Sequence, residues 1–209
     1  MTAEHASRRR GEALREAVFA AALEEISLVG VRGASMDSIA QRAGTGKAAL
    51  YRRWPNVRAL ALDVFISTLE DTMPSSSPDS GSLRDDLLSS LTALSKELDS
   101  DLGIVLRELI SEAAHDPQVS EEFQTRFGTA KQVEAMSVLQ HAIDRGEIPQ
   151  QVIDPYVMDL PAALVLHQLI MTGTAPTTTQ VEQMISSGKG VRCPSDGRKP
   201  KRVAILLCV

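Results

Sequence analysis

The apolar residues of this 209-residue chain recur at intervals of three and four, and this spacing constrains its fold more than any other feature. The first series is Leu14, Ala17, Val18, Ala21, Ala22, Ile26 and Val29. It predicts an amphipathic helix over about residues 7–29, closed by Gly30 as a C-cap. No stretch alternates with the period of two that is typical of strands, so we predict an all-α protein.

The next segment has the pattern of two short helices joined by a tight turn. Ser35 is placed to cap a helix that stops at Gly44, and Thr45 to cap a second helix that Pro55 ends. Such a pair is typical of the helix-turn-helix, whose second helix enters the major groove of DNA. That second helix carries the hydrogen-bond donors Thr45, Lys47, Tyr51, Arg52 and Arg53.

The charge of the chain is unevenly distributed. Its formal net charge of -5 taken alone argues against nucleic acid as a partner. Residues 1–60, however, hold ten Lys/Arg and six Asp/Glu, whereas residues 61–187 hold six and twenty. A basic head on an acidic body favours an anionic partner for the head.

Residues 35–54, SMDSIAQRAGTGKAALYRRW, resemble the N-terminal signature of the TetR family of transcriptional regulators. The signature covers about residues 10–65, and its ending, Arg52 to Pro55, is similar to an actinobacterial-type subgroup. The resemblance implies a homodimeric repressor that binds a palindromic operator in double-stranded DNA. It also implies that a small-molecule effector in the C-terminal domain releases the protein from DNA.

The resemblance implies roles for single residues of the head. Ser35 matches a capping hydroxyl that also contacts phosphate, and Tyr51 matches a phosphate-contacting tyrosine. Thr45, Gly46 and Lys47 match the start of the recognition helix. Arg52 and Arg53 match the positions that read bases or backbone. Without the resemblance, Tyr51 would be interpreted as a core aromatic.

Two further positions bear on the resemblance. Trp54 falls on an aromatic that packs the recognition helix of the family. Val57 stands where the family usually has a phosphate-binding lysine, and Arg58 is expected to substitute for it. Because residues of a helix are spaced at 3.6 per turn, Arg58 points about 100° away from that position.

Composition divides the chain into three predicted segments. Residues 1–55 form a helix-turn-helix DNA-binding domain of three helices, and residues 56–187 a helical ligand-binding and dimerisation domain. In the second domain we expect helices over 83–98, 102–115, 119–145 with a bend at Gly128, 154–172 and from 177. Residues 188–209 are a basic and apolar tail, either a natural extension or the product of an altered reading frame.

Two sites are expected in the body. The helix over 154–172 is apolar nearly all round, so we expect it to be buried on both sides, in a subunit interface or else as a core helix of a monomer. The predicted interface residues are Leu160, Leu164, His167 and Met171. A pocket with apolar walls and few polar groups would hold the effector. Its candidate residues are Ile110, Phe123, Phe127, Met136, Gln140 and His167.

Other function classes lack the residues they need. The four histidines are not paired at helical spacing, so we predict no metal, and no catalytic constellation predicts an enzyme or a cofactor. Both cysteines lie in the last 17 residues and no apolar run could span a bilayer, which favours a cytoplasmic protein. The paired acids Asp85 and Asp86 are expected to face water. The alternative function is a helical, dimeric partner-binding protein that has lost operator binding.

Overall fold

The computed structural model describes residues 3–72, 77–150 and 155–186, and within these ranges it contains helices and no strand. The all-α prediction is confirmed. The helices are α1 (Ala3–Gly33), α2 (Met36–Arg42), α3 (Lys47–Tyr51), α4 (Val57–Thr72), α5 (Leu83–Leu98), α6 (Asp101–Ala113), α7 (Pro117–Phe123), α8 (Thr129–Asp144), α9 (Pro155–Thr172) and α10 (Thr178–Ser186). One π-helical turn, Gln124–Gly128, follows α7 in the chain.

The chain forms two compact units. The first unit contains α1 to α4 together with α6 and α7, and the second contains α5 with α8, α9 and α10. The first unit therefore extends beyond residue 55, where the DNA-binding domain is predicted to end. That functional boundary stays a prediction, and the tail over 188–209 lies outside the described residues.

The first unit is built around α1. Its predicted apolar face is largely confirmed, since Val18, Ala22 and Ile26 are buried, but Val29 is half exposed. Gly30 interrupts the helix with a φ of +73° and a ψ of 169°, a conformation that is essentially confined to glycine. The chain then makes one more helical turn, which ends at Gly33.

Capping side chains begin the next helices, with one exception. The Ser35 hydroxyl accepts a hydrogen bond from the Ser38 N–H, and Asn56 Oδ1 accepts one from the Ala59 N–H at 2.9 Å. The prediction that Thr45 caps α3 is wrong, because Gly46 holds that position without a side-chain bond. The Thr45 N–H instead donates to the Ala40 carbonyl at 3.0 Å, so this residue closes α2.

The second unit confirms the predicted α5 over residues 83–98. Its core contains Leu83, Val138, Leu139, Ala142, Ile148 and Met158. Where one helix bent at Gly128 was expected over residues 119–145, the structure has α7, the π-helical turn and α8. The single predicted helix is therefore interrupted by a π-helical turn that ends at Gly128, and the predicted bend stays a prediction.

A group of four charged residues, here the Arg145 cluster, joins the start of α5 to the end of α8. Arg145 donates hydrogen bonds to Asp79, Asp86 and Glu147, with 3.0 Å to Asp86 Oδ2. Asp86 is completely buried, so the expectation that it faces water is wrong, whereas Asp85 is exposed. Because Asp86 also accepts the Ser80 N–H at 2.7 Å, its charge has the partners that burial requires.

Candidate nucleic-acid interface

The turn between α2 and α3 places the predicted DNA-binding residues on one exposed tip. Ile39, Ala40 and Leu50 are buried and hold the two helices together. Gly44 makes the turn with a φ of +62°, a backbone conformation that residues other than glycine rarely adopt. With Leu50 turned inward, Lys47, Tyr51, Arg52 and Arg53 remain at the surface.

Lys47 lies at the first turn of α3 and is held by a carboxylate from α2. Its Nζ is 2.6 Å from Asp37 Oδ1 and 2.8 Å from Asp37 Oδ2, and both side chains are more than half exposed. The hydrogen bond to Asp37 raises the pKa of Lys47 above its usual range. The same ammonium lies 5.8 Å from the centre of the Tyr51 ring, within reach of a cation–π interaction.

The end of α3 is anchored by Trp54. This side chain is buried as predicted, tilts against Phe19 at a centroid distance of 5.9 Å, and donates from Nε1 to Asp63 Oδ2 at 2.7 Å. Tyr51, by contrast, is 47% exposed, so its interpretation as a core aromatic is wrong. The Trp54 anchor thus fixes the helix whose outer face carries Tyr51.

Arg52 and Arg53 follow α3 and are exposed, and within the described residues neither forms an ion pair. Together with Arg15 they border a cleft of about 360 Å³ between α1 and α3, floored by apolar residues such as Leu14 and Trp54. Guanidinium groups without a carboxylate partner are suited to bind phosphate or base edges. These two arginines are the strongest DNA-binding candidates on the tip.

Several other basic residues of the head are already paired with carboxylates. Arg42 donates to Glu24 Oε1 at 2.6 Å and to Glu25 Oε2 at 2.8 Å. Arg58, predicted to contact phosphate, lies 2.9 Å from Asp116 Oδ2 and 3.7 Å from Glu112 Oε2. A phosphate contact by Arg58 would require this pairing to open, so its DNA-binding role stays a prediction.

The remaining predicted DNA-binding residues lie around the turn. Ser35 is exposed, and its hydroxyl oxygen lies 2.9 Å from that of Ser38, with which it forms a hydrogen bond. Gly46 is exposed and Thr45 is half-buried. A Cβ built on Gly46 would meet no atom within 4 Å, so the structure leaves room for another molecule there.

The residues predicted to form an effector pocket do not come together in one unit. Ile110 and Phe123 belong to the first unit, where Phe123 stacks on the buried Phe65 at a centroid distance of 6.3 Å. Phe127, Met136, Gln140 and His167 belong to the second unit. Phe127 is buried there, Met136 and His167 are exposed, and Gln140 donates to Asp144 on its own helix.

The predicted interface helix α9 has one buried and one open side. Val165 and Leu169 are buried, whereas Leu160 and Leu164 are half-buried, and His167 and Met171 are exposed. A cavity of about 30 Å³ is lined by Leu160, Leu164 and residues of α5 and α10. That volume holds about one water molecule and is far below the size of an effector site.

The carboxylate partners of the basic residues were missed by sequence reasoning. Asp37 lies in the first turn of α2, where the helix dipole favours its charge, and it also binds Lys47 ten residues away. Glu112 and Asp116, which pair with Arg58, are more than fifty residues from it in the chain. Nothing in helical periodicity relates residues so far apart.

The described residues contain no group of three or more His, Cys, Asp or Glu that could hold a metal ion. In the same part of the chain, every helix is too short or too polar to cross a membrane.

Both parts of the chain match known protein families. Residues 18–64 match the tetR family of bacterial regulatory proteins, and residues 77–187 match the tetracyclin repressor-like C-terminal domain. These matches and the helix-turn-helix define a DNA-binding transcriptional regulator. The chain belongs to the TetR family, in which a ligand-responsive repressor is typical.

Individual relatives agree with this assignment. The chain is 31% identical to the HTH-type transcriptional regulator YdeS of Bacillus subtilis over 90% of this chain and 94% of that one. It is 29% identical to the DNA-binding transcriptional repressor TetR of Mycobacteroides abscessus, over 78% and 86% of the two chains. The crystal structure of the TetR family regulator SCO0332 is 27% identical, with a TM-score of 0.69 over 87% of this chain and 99% of that chain.

Proposed function

We propose that this protein is a homodimeric repressor that binds a palindromic operator through α3 and leaves it when a small molecule binds. The observation that carries the proposal is the exposed tip, where Lys47, Tyr51, Arg52 and Arg53 lie on and just after one short helix. The first residues of such a helix contact base edges when it enters the major groove. Lys47 is the first residue of α3, and the two arginines follow its end.

The open side of α9 supports the homodimer. Leu160, Leu164, His167 and Met171 follow one another at intervals of four, three and four, so they share one face of the helix. Met171 is 71% exposed and the neighbouring Ile170 is 47% exposed, although both are large apolar side chains. A two-fold dimer would cover this face with its own copy and present two α3 helices to two half-sites.

The effector and the cellular location belong to the same proposal. The family assignment supports an effector in the tetracyclin repressor-like domain at residues 77–187. The apolar helices of this domain offer the walls that such sites need. A cytoplasmic location follows from the proposed target, since bacterial DNA lies in the cytoplasm.

Selection of bound duplexes from a random DNA pool tests the proposal. The expected result is an inverted repeat whose half-sites are separated by about one helical turn. A variant with Arg52→Gln and Arg53→Gln should enrich no motif. The control Arg84→Gln with Lys96→Gln, in the second unit, removes the same two charges and should enrich the wild-type motif.

Failure to enrich any motif at several salt concentrations would contradict the proposal. A dimer by light scattering without DNA binding would favour the alternative of a partner-binding protein. Enrichment of a single unrepeated half-site by a monomer would contradict the dimer while leaving DNA binding intact.

A further inference from the structure

We infer that Asp37 is a specificity-determining residue: its carboxylate neutralises Lys47 on non-specific DNA and releases the lysine only in the sequence-specific complex. This inference rests on the proposed function, because it concerns how the same tip discriminates between DNA sequences. It assigns a role in DNA recognition to an acidic side chain of α2.

The geometry of the pair supports this role. Lys47 Nζ lies within hydrogen-bonding distance of both Asp37 oxygens, at 2.6 Å and 2.8 Å. The single carboxylate therefore neutralises the charge of the ammonium. The lysine is 55% exposed and the aspartate 63% exposed. A pair open to water on both sides is weak, so a better partner can displace Asp37.

The surroundings of the pair show why the exchange would happen on DNA. Asp37 lies in the first turn of α2, where the helix dipole stabilises its charge without Lys47. Lys47 lies at the first turn of α3, which would enter the groove. The ring of Tyr51 near the ammonium gives the lysine a second contact that does not depend on Asp37.

Arg42, another paired cation of the head, is less able to leave its carboxylate partner. Arg42 is bound to Glu25, whose side chain is only 11% exposed, and to Glu24 as well. Displacing Arg42 would leave a mostly buried carboxylate without its partner, which is unfavourable. The Lys47–Asp37 pair can open without such a penalty, so it is suited to an exchange on binding.

The consequence concerns sequence-independent binding. Each cation that neutralises a DNA phosphate releases counterions. A plot of the logarithm of the binding constant against the logarithm of the salt concentration therefore falls with a slope of about 0.9 per phosphate. A lysine kept on its own carboxylate releases none. Non-specific affinity is therefore lowered, whereas the specific complex gains the contact that Lys47 makes once it leaves Asp37.

The test measures binding of a random-sequence duplex by fluorescence anisotropy between 50 mM and 200 mM salt. Asp37→Asn should bind this duplex more tightly, with a salt slope steeper by about 0.9, equal to about a 3.5-fold larger loss of affinity over that range. Its preference for a selected operator over the random duplex should fall. Thermal unfolding of each variant checks that α2 is retained.

Two further variants separate pairing from net charge. Glu12→Gln removes an exposed carboxylate of α1 and changes the net charge equally, and it should leave the slope unchanged. Lys47→Gln should reduce the slope by about 0.9 when Asp37 is Asn, and by much less when Asp37 is present.

Each outcome is decisive. Equal effects of Asp37→Asn and Glu12→Gln, or equal effects of Lys47→Gln in both backgrounds, would overturn the inference while DNA binding by the tip stands. If neither the wild type nor Asp37→Asn binds DNA at any salt concentration, the proposed function fails and the inference fails with it.

Discussion

The Lys47–Asp37 pair of the first unit and the Arg145–Asp86 pair of the second have similar chemistry but opposite burial. The side chains of the first pair are 55% and 63% exposed, and those of the second are 22% and 0% exposed. Water can replace either partner at the tip, whereas nothing replaces Arg145 beside the buried Asp86. Burial thus decides whether an ion pair can be exchanged for a ligand or must remain to keep the fold.

A third pair lies between these extremes. The Arg42 side chain is 36% exposed and that of Glu25 is 11% exposed. The series predicts that loss of the cation costs most stability in the Arg145 cluster, less at Arg42 and least at Lys47.

Arg145→Ala should have the largest effect on stability. It would leave the buried carboxylate of Asp86 without its cation, which costs about 3 kcal/mol in the free energy of unfolding. Urea denaturation monitored by circular dichroism measures this change. Lys96→Ala, at an exposed position of α5, should stay within about 0.5 kcal/mol. Equal effects of the two variants would contradict the link between burial and stability.

Acid should weaken the same cluster. Burial alone would raise the pKa of Asp86, but its hydrogen bonds from Ser80 and Arg145 together lower it, and the Leu83 N–H lowers the pKa of Glu147. A folded-state pKa below the unfolded one stabilises the protein above the unfolded pKa of about 4, and this contribution is lost as the pH falls from there through the lower folded-state pKa. The free energy of unfolding should therefore decrease more steeply below pH 4.5 in the wild type than in Asp86→Asn. Parallel pH profiles would show that the cluster does not titrate in this way.

Arg42→Ala tests the intermediate pair. Glu25, whose side chain is 11% exposed, would lose the guanidinium that donates to its Oε2 at 2.8 Å, so we expect a loss of about 1–2 kcal/mol. Arg52→Ala, which removes an exposed arginine of the same tip, should change stability by no more than about 0.5 kcal/mol. The comparison fails if Arg52→Ala is the more destabilising variant in the same denaturation experiment.

Lys47→Gln should have the smallest effect on stability, at most about 0.5 kcal/mol, because an exposed pair contributes little. Its affinity for the selected operator should nevertheless fall about tenfold, as expected for the loss of one good contact. Thermal unfolding and anisotropy titration of the same sample measure the two quantities. A large loss of stability with unchanged affinity would contradict the role of the Lys47–Asp37 pair in DNA binding and assign it to stability instead.

Much of the fold follows from local sequence signals. Helical spacing and caps such as Ser35 and Asn56 fix where helices begin and end, because these interactions involve residues three or four apart. The all-α class, the helix-turn-helix and the bounds of α5 and α9 were predicted on this basis. Thr45 was assigned wrongly because Gly44 lets the chain continue the α2 turn for one more residue.

The pairing of charges could not be predicted in this way. Asp86 and Arg145 are 59 residues apart, and Arg58 and Asp116 are 58 apart, so only the packing of helices brings them together. The effector pocket that includes Phe123 and Phe127 stays a prediction, since the two residues belong to different units. Composition identified the basic head, but the structure shows which cations are already neutralised.

The central claim is that the exposed tip of α3 recognises a DNA sequence. The most direct measurement compares, at 150 mM salt, the affinity of the wild type for the duplex selected from random DNA with its affinity for a scrambled duplex of the same composition. We expect the wild type to prefer the selected duplex by at least about a thousandfold, and the Arg52→Gln, Arg53→Gln double variant to lose this preference. Equal affinities of the wild type for the two duplexes would contradict it.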